Sequence, residues 1–309
     1  MTLLENNGGV MALSAGGQSS GGTLGARMLG SGMAGFCELG LFHPVDTIAK
    51  RLMSNQGKAN MSNMNEVIFK DAANKSVVGK VKSLFPGVGF AAGYKVLQRT
   101  YKFGGQPYVK DWMNTRYGST MKANFGESTG KTLTSAFAGS LLGIGEIALL
   151  PLDVLKIKAQ TNPEVLKGRG VVEIFTTEGR GLYRGAGWTA ARNAPGSFAL
   201  FGGSALVHHG VFGLKSTNDA TFVQNFFASV SGAIASITVA APLDVVKTRI
   251  QNKPFDAPES GVQIIKNMIK NEGFGSFFKG LAPKIIVVGP KLVFSFTIAQ
   301  TLMNFFQTL

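Results

Sequence analysis

The stretch APLDVVKTRIQ, residues 241–251, ends a run in which no residue between Asp219 and Asp244 carries a formal charge. Where that apolar run should meet water, the chain places Pro242, Asp244, Lys247 and Arg249. Nearly the same phrase occurs twice more, as HPVDTIAKR from His43 and LPLDVLKIK from Leu150. Its prolines, Pro44, Pro151 and Pro242, recur at intervals of about a hundred residues, too long for the common solenoid repeats. A second phrase follows each first one: EGRGLYRG at 178–185, EGFGSFFKG at 272–280 and a reduced SLFPG at 83–87. Pro86 stands there where Arg184 and Lys279 stand in the other two. The chain therefore reads as three similar modules, 27–115, 128–215 and 219–309, forming one bundle behind a Gly- and Ser-rich tail, 1–26. That tail has one acid, Glu5, and no basic residue, so it is expected to be disordered rather than a leader.

The apolar segments have membrane length. Residues 220–243 are uncharged, 132–152 hold only Glu146, 185–214 only Arg192, and 280–309 only Lys284 and Lys291. A span takes about 20 largely apolar residues. Six such segments fall near 27–54, 88–112, 131–160, 187–213, 221–252 and 283–307. Amphipathic pieces such as GVQIIKNMIKNEG from Gly261 lie between the members of each pair. The expected fold is an all-α membrane protein: six transmembrane helices in three pseudo-threefold repeats, with short amphipathic helices on one face. Charged residues at 16% and 41 glycines suit helices packed closely in lipid.

A proline inside a helix removes one backbone hydrogen bond and bends the rod. Three rods bent at Pro44, Pro151 and Pro242 can converge and close one end of a cavity. Asp at Pro+2 and Lys at Pro+5 lie about one turn apart there, so Asp46, Asp153 and Asp244 can each reach a base on a neighbouring module. The net charge of +14 and the pI near 9.9 imply an anionic partner. A lone cysteine, Cys37, excludes an internal disulfide and a cysteine metal cluster. His43, His208 and His209 have no nucleophile or carboxylate at a useful spacing, so no enzyme and no cofactor are expected.

These motifs resemble the mitochondrial carrier family, whose signature is Pro-x-acid-x-x-base-x-base followed later by acid-Gly, an aromatic, a base and Gly. The resemblance covers about residues 27–307. It implies a six-helix bundle in the mitochondrial inner membrane, with both termini toward the intermembrane space. It also implies a monomer that exchanges solutes by alternating access. Basic loops beside the membrane are expected to bind cardiolipin. In the family's matrix-side ring, the resemblance implies the pairs Asp46–Lys156 and Asp153–Lys247, braced by Gln160 and Gln251. The first module departs from the pattern, with Ala49 at Pro+5 and Met53 at the brace. Lys50, about 100° further round the helix, is expected to point elsewhere, leaving Asp244 without its partner. On the cytosolic side, YKFGGQPYVK, FGGSALVHHG and FTIAQTLMNFF lack the family's acid, which predicts a weak ionic gate and a protein that rests open to the cytosol.

Aligning Gly87, Gly185 and Gly280 assigns the cavity level by analogy with the family. It brings there Tyr94, Lys95, Gln98 and Arg99, then Arg192 and Asn193, then Val287 between Lys284 and Lys291. Intramembrane charges are costly unless they face water or partners, so Lys95, Arg99, Arg192 and Lys291 are read as one anion site. Glu38 and Glu146 are read as their ion-pair partners or as carriers of a coupled proton. Arg grips carboxylates in bidentate fashion, so a di- or tricarboxylate is expected. The first module (HPVDTIAKRLMSNQG and LFPGVGFAAGYKVLQR) resembles citrate/2-oxoglutarate carriers of fungi, and the RRRMMM run of adenine-nucleotide exchangers is absent. Citrate exchanged for 2-oxoglutarate is thus the expected activity. Phosphate, nucleotide or another keto acid stands as the alternative, and so does a membrane-embedded mitochondrial DNA-binding protein using Lys70, Lys75, Lys80, Lys82, Lys167 and Arg169.

Overall fold

The computed structural model describes residues 24–294, apart from 58–59, 61, 215–219 and 257, together with residues 297–298. The side chains of some residues within helices, those of 24–32 and Arg99 among them, also lie outside the described set, as does the expected tail up to residue 23. All the regular structure described is helical. The chain runs α1 (Leu24–Ser54), α2 (Met64–Phe69), α3 (Val77–Lys82), α4 (Val88–Phe125), α5 (Glu127–Gly145) and α6 (Leu150–Thr161). It continues with α7 (Val171–Glu178), α8 (Ala186–Ala205), α9 (Phe222–Asn252), α10 (Gly261–Asn271) and α11 (Leu281–Ile286), and further helical turns cover 288–294.

The three prolines act differently. Pro44 and Pro242 sit inside unbroken helices of 31 residues each. Pro151 lies in the first turn of α6, behind a 3-10 turn at Glu146–Leu149 that separates α5 from α6. Pro is well tolerated in a first turn, where its missing N–H has no intrahelical acceptor. The second module therefore absorbs its proline by breaking the rod. Two apolar stretches are long enough to cross a membrane among the described residues, Thr132–Thr161 and Val223–Asn252. Helix α4 runs on past the expected segment 88–112 to Phe125, and Gly126 at φ 79° turns the chain into α5.

Contacts between helices run from α1 to α4, α4 to α5, α5 to α8, α8 to α9 and α9 to the short α11, and then from α11 back to α1, closing a ring. The proline-bearing α1, α6 and α9 also touch one another pairwise inside it. Apolar clusters seal the end where they meet. Met53, Val245, Ile250, Ile264, Met268 and Phe277 form one, so α10 is docked on α9. Val154, Leu155, Ile174 and Leu182 form another, docking α7 on α6. The matching α2 and α3 bury no residue, in keeping with the degenerate first module.

Gly87, Gly185 and Gly280 start α4, α8 and α11 with φ of 69°, 83° and 75°, the left-handed region that glycine enters at little cost. Each sits against a proline-bearing helix. A Cβ at Gly87 would lie 2.5 Å from Ala159 Cβ, and one at Gly280 would lie 2.5 Å from the Ala49 carbonyl oxygen. At Gly185 the nearest atom, Ile250 Cγ2, is 3.5 Å away.

Candidate functional site

The ring encloses a polar cavity of about 260 Å³ above the convergent ends of α1, α6 and α9. At its floor Lys156 of α6 pairs with Asp46 of α1, and Lys247 of α9 pairs with Asp153 of α6 at 2.7 Å. Beneath them Gln160 Nε2 donates to Thr47 Oγ1 at 3.1 Å. Gln251 is fully buried, and neither amide atom has a hydrogen-bond partner among the described residues. Outside this floor Arg51 Nε donates to the Gln160 carbonyl and Arg249 Nε to the Met53 carbonyl, each at 3.0 Å. These bases at Pro+7 thereby tie each proline-bearing helix to a neighbour.

Asp244 has no base at position 49 and is paired from other helices instead: Arg192 Nε lies 2.8 Å from its Oδ1, and Lys284 Nζ lies 2.9 Å from its Oδ2. Lys50 does not point away; it is buried, lines the cavity, and donates to Thr248 Oγ1 at 3.1 Å. Its flexible four-carbon stem spans the angular offset that sequence position alone would impose.

Higher in the cavity Glu38 pairs with Lys95 and, at 3.1 Å, with Lys291. Gln98 Nε2 donates to Glu146 Oε2 at 2.8 Å and to Tyr94 Oη at 3.1 Å. Tyr94, Lys95, Gln98, Arg192 and Lys291 all line the cavity. Asn193, expected there as well, turns instead into the helix interface: its Nδ2 donates to the Gly143 carbonyl and its Oδ1 accepts from Arg192 Nη1 at 2.9 Å. It shares a helix with Arg192, but the next residue faces about 100° away. Arg99 cannot be placed, since its side chain lies outside the described residues. Lys284, one turn from Val287 like Lys291 but not included in the expected anion site, also lines the cavity and contacts Asp244.

The two full second motifs act as straps. Arg184 donates to the carbonyls of Pro254 and Phe255 at 2.7 and 2.8 Å. Lys279 donates to those of Asn55 and Gly57 at 2.8 and 2.7 Å and pairs with Glu272. At Pro86 there is no base, and His43 Nε2 donates to the Pro86 carbonyl instead, at 3.0 Å. Several bases considered for nucleic acid are engaged within the chain. Lys70 contacts the Thr161 carbonyl, Lys80 donates to Asn65 Oδ1, and Arg169 pairs with Glu178. Among the described residues no cluster of His, Cys, Asp and Glu could hold a metal ion.

A closed ring of helices around a cavity lined by ion pairs, with its bases facing inward, is the arrangement of a solute carrier rather than of an enzyme. The family described as mitochondrial carrier protein matches residues 128–213 and 218–309. The chain is 61% identical to an uncharacterised mitochondrial carrier of Schizosaccharomyces pombe, across 92% of this chain and 95% of that one. It is 58% identical, with the same coverage, to mitochondrial GTP/GDP carrier protein 1 of Saccharomyces cerevisiae. Against mitochondrial citrate transporter C of Aspergillus niger the identity is 25%, across 89% of each chain. The chain belongs to the mitochondrial carrier family, and is thus a transporter of the mitochondrial inner membrane. The expected likeness to citrate/2-oxoglutarate carriers is corrected by these figures. A cationic cavity does not separate carboxylate from phosphate, because Arg and Lys bind both. The absence of one adenine-nucleotide motif did not exclude other nucleotides.

Proposed function

We propose that the protein is an antiporter exchanging guanine nucleotides, GTP against GDP, across the mitochondrial inner membrane by alternating access. The single observation that carries this reading is 58% identity along nearly the whole chain to a GTP/GDP carrier. The cavity supports it. Lys50, Lys95, Lys156, Lys247, Lys284 and Lys291 join Arg192 in its wall, against four carboxylates, Glu38, Asp46, Asp153 and Asp244. That surplus of cations suits a polyphosphate, whose several oxyanions accept charge-assisted hydrogen bonds. Transporters of this kind place the site between internal repeats. Under this proposal the ring α1–α4–α5/α6–α8–α9–α11 supplies six spans in three modules, with both termini toward the intermembrane space. The cavity is complete within one chain, so a monomer suffices.

The test is exchange in liposomes. Vesicles containing the purified protein and loaded with GTP are expected to take up labelled GDP, and unloaded vesicles are not. Vesicles loaded with 2-oxoglutarate are expected to exclude labelled citrate. Citrate uptake together with no GDP uptake would return the assignment to tricarboxylates. In the same assay Arg192→Ala is expected to lower exchange at least a hundredfold while still inserting, since Arg192 is a base without which the polyphosphate loses charge-assisted contacts.

A further inference from the structure

In the ring at the cavity floor two acids bind the Pro+5 lysine of the neighbouring helix, Asp46 to Lys156 and Asp153 to Lys247. The third acid, Asp244, would need a base at position 49. That residue is Ala49, fully buried, and its methyl group can pair with nothing. Asp244 instead spans two bases from other helices, Arg192 of α8 through Oδ1 and Lys284 of α11 through Oδ2. The acid is nearly hidden, with 5% of its side chain exposed, whereas Arg192 keeps 35% and Lys284 18% open to the cavity. The two bases are thus reachable by a ligand from the side opposite the carboxylate. Lys95 and Lys291 are likewise drawn to one acid, but that acid, Glu38, is no member of the ring.

We infer that Arg192 and Lys284 form a phosphate-binding station that the Asp244 carboxylate fills whenever no nucleotide is bound, so that phosphate capture itself removes the third link of the floor. This rests on the nucleotide reading above. A phosphate offers more acceptor oxygens and more charge than a carboxylate, and Arg matches it in bidentate geometry. Exchanging one anion for the other never leaves the two bases unpaired; the cost falls on the displaced Asp244 carboxylate, for which Lys50 in the same cavity wall is a further cation. Asp244, once displaced, no longer holds α9 to α8 and α11. Of the three ring acids, Asp46 and Asp153 then still hold their partners across the floor, beside the Lys50–Thr248 contact and the outer braces. Position 49 is what makes this possible: a lysine there would give Asp244 a partner of its own and separate binding from opening.

The test compares two ring acids in the full-length protein. Asp244→Asn frees the station, whereas Asp153→Asn breaks a ring pair that touches neither Arg192 nor Lys284. GDP titrated into Asp244→Asn is expected to bind about tenfold or more tightly than to the unaltered protein, and inorganic pyrophosphate is expected to show the same gain without a base. Asp153→Asn is expected to stay within about twofold. Equal affinity changes in the two variants overturn the proposal. A second measurement needs no ligand and covers the case in which Asp244→Asn does not fold. Gln251, buried beneath the floor with no side-chain hydrogen bond among the described residues, is replaced by Cys in a Cys37→Ser background. Lys284→Gln is then expected to raise the rate at which an impermeant thiol reagent modifies that cysteine several-fold, and Lys95→Gln to leave it unchanged. Unaltered labelling in Lys284→Gln, or equal rises in both variants, also overturns it. Failure of the unaltered protein to bind GDP would sink the nucleotide reading instead, and the labelling comparison would still decide the role of Asp244.

Discussion

At the scale of single residues, Glu272 carries more of the structure than its place in a loop suggests. Burial works to raise its carboxyl, but hydrogen bonds from Arg249 and Lys279 outweigh that and hold it below the usual carboxylate range. Both bases also donate to the Asn55 carbonyl at the end of α1, so one carboxylate fixes two straps across a module boundary. Glu272→Gln is expected to cost about 2 kcal/mol of stability near neutral pH, the scale of hydrogen bonds to charged groups. A depressed carboxyl stabilises the fold above its unfolded value of about 4.3 and loses that contribution as pH falls through the folded value. The gap in melting temperature between the two proteins should therefore be full at pH 7 and close below about pH 4. A gap that is constant with pH would mean that the charge of Glu272 does not matter. The same scale marks a limit of sequence reading. The pairs Asp46–Lys156 and Asp153–Lys247 were implied by the resemblance to the carrier motif, on which both partners of each pair sit. The partners of Asp244 were not, because Arg192 and Lys284 lie on other helices and only packing brings them there.

At the scale of elements, the left-handed glycines position the helices around the cavity. Gly87 and Gly280 combine positive φ with an approach that would bring a Cβ to 2.5 Å of Ala159 Cβ or of the Ala49 carbonyl, whereas Gly185 combines it with ordinary contact. Ala at any of the three meets the cost of the left-handed region, about 1–2 kcal/mol. At Gly87 and Gly280 the clash adds about 1–3 kcal/mol more, as overpacking does. Thermal unfolding in detergent is expected to rank Gly280→Ala and Gly87→Ala as clearly less stable than Gly185→Ala. If all three melt alike, the close approaches do not govern the packing. The glycines were legible as motif members, but the difference between them was not, since it depends on which neighbour each one meets. The prolines were also only half legible. Sequence marks where a hydrogen bond is lost, while tertiary packing decides whether the helix continues, as at Pro44 and Pro242, or restarts after a 3-10 turn, as before Pro151.

At the scale of the whole molecule, the two ends of the bundle are closed by different chemistry. The floor is held by Asp46–Lys156, Asp153–Lys247 and the Asp244 cluster, and is braced from outside by Arg51 and Arg249. At the opposite end of α8 and α9 the described tethers are neutral. His208 lies 3.0 Å from Asn225 Oδ1, and Ser204 donates to the Ala228 carbonyl at 2.9 Å. Half the side chains of YKFGGQPYVK and nearly all of FTIAQTLMNFF fall outside the described set, so the weak outer gate still rests on their lack of an acid. Neutral hydrogen bonds contribute about 1 kcal/mol each, and bonds to charged groups about twice that. In the absence of nucleotide the floor should then be the harder end to part, and the cavity should stand open to the cytosol. Phe42, half-buried in the cavity wall, and Gln251, which lies below the floor, provide reporters on either side of that barrier. With each replaced by Cys in a Cys37→Ser background, an impermeant thiol reagent added on the cytosolic side is expected to modify position 42 at least tenfold faster than position 251. Added nucleotide should narrow that ratio by letting the floor open. Faster modification at 251, or two slow sites that become reactive only with nucleotide, would mean that the outer end is shut by contacts stronger than neutral hydrogen bonds.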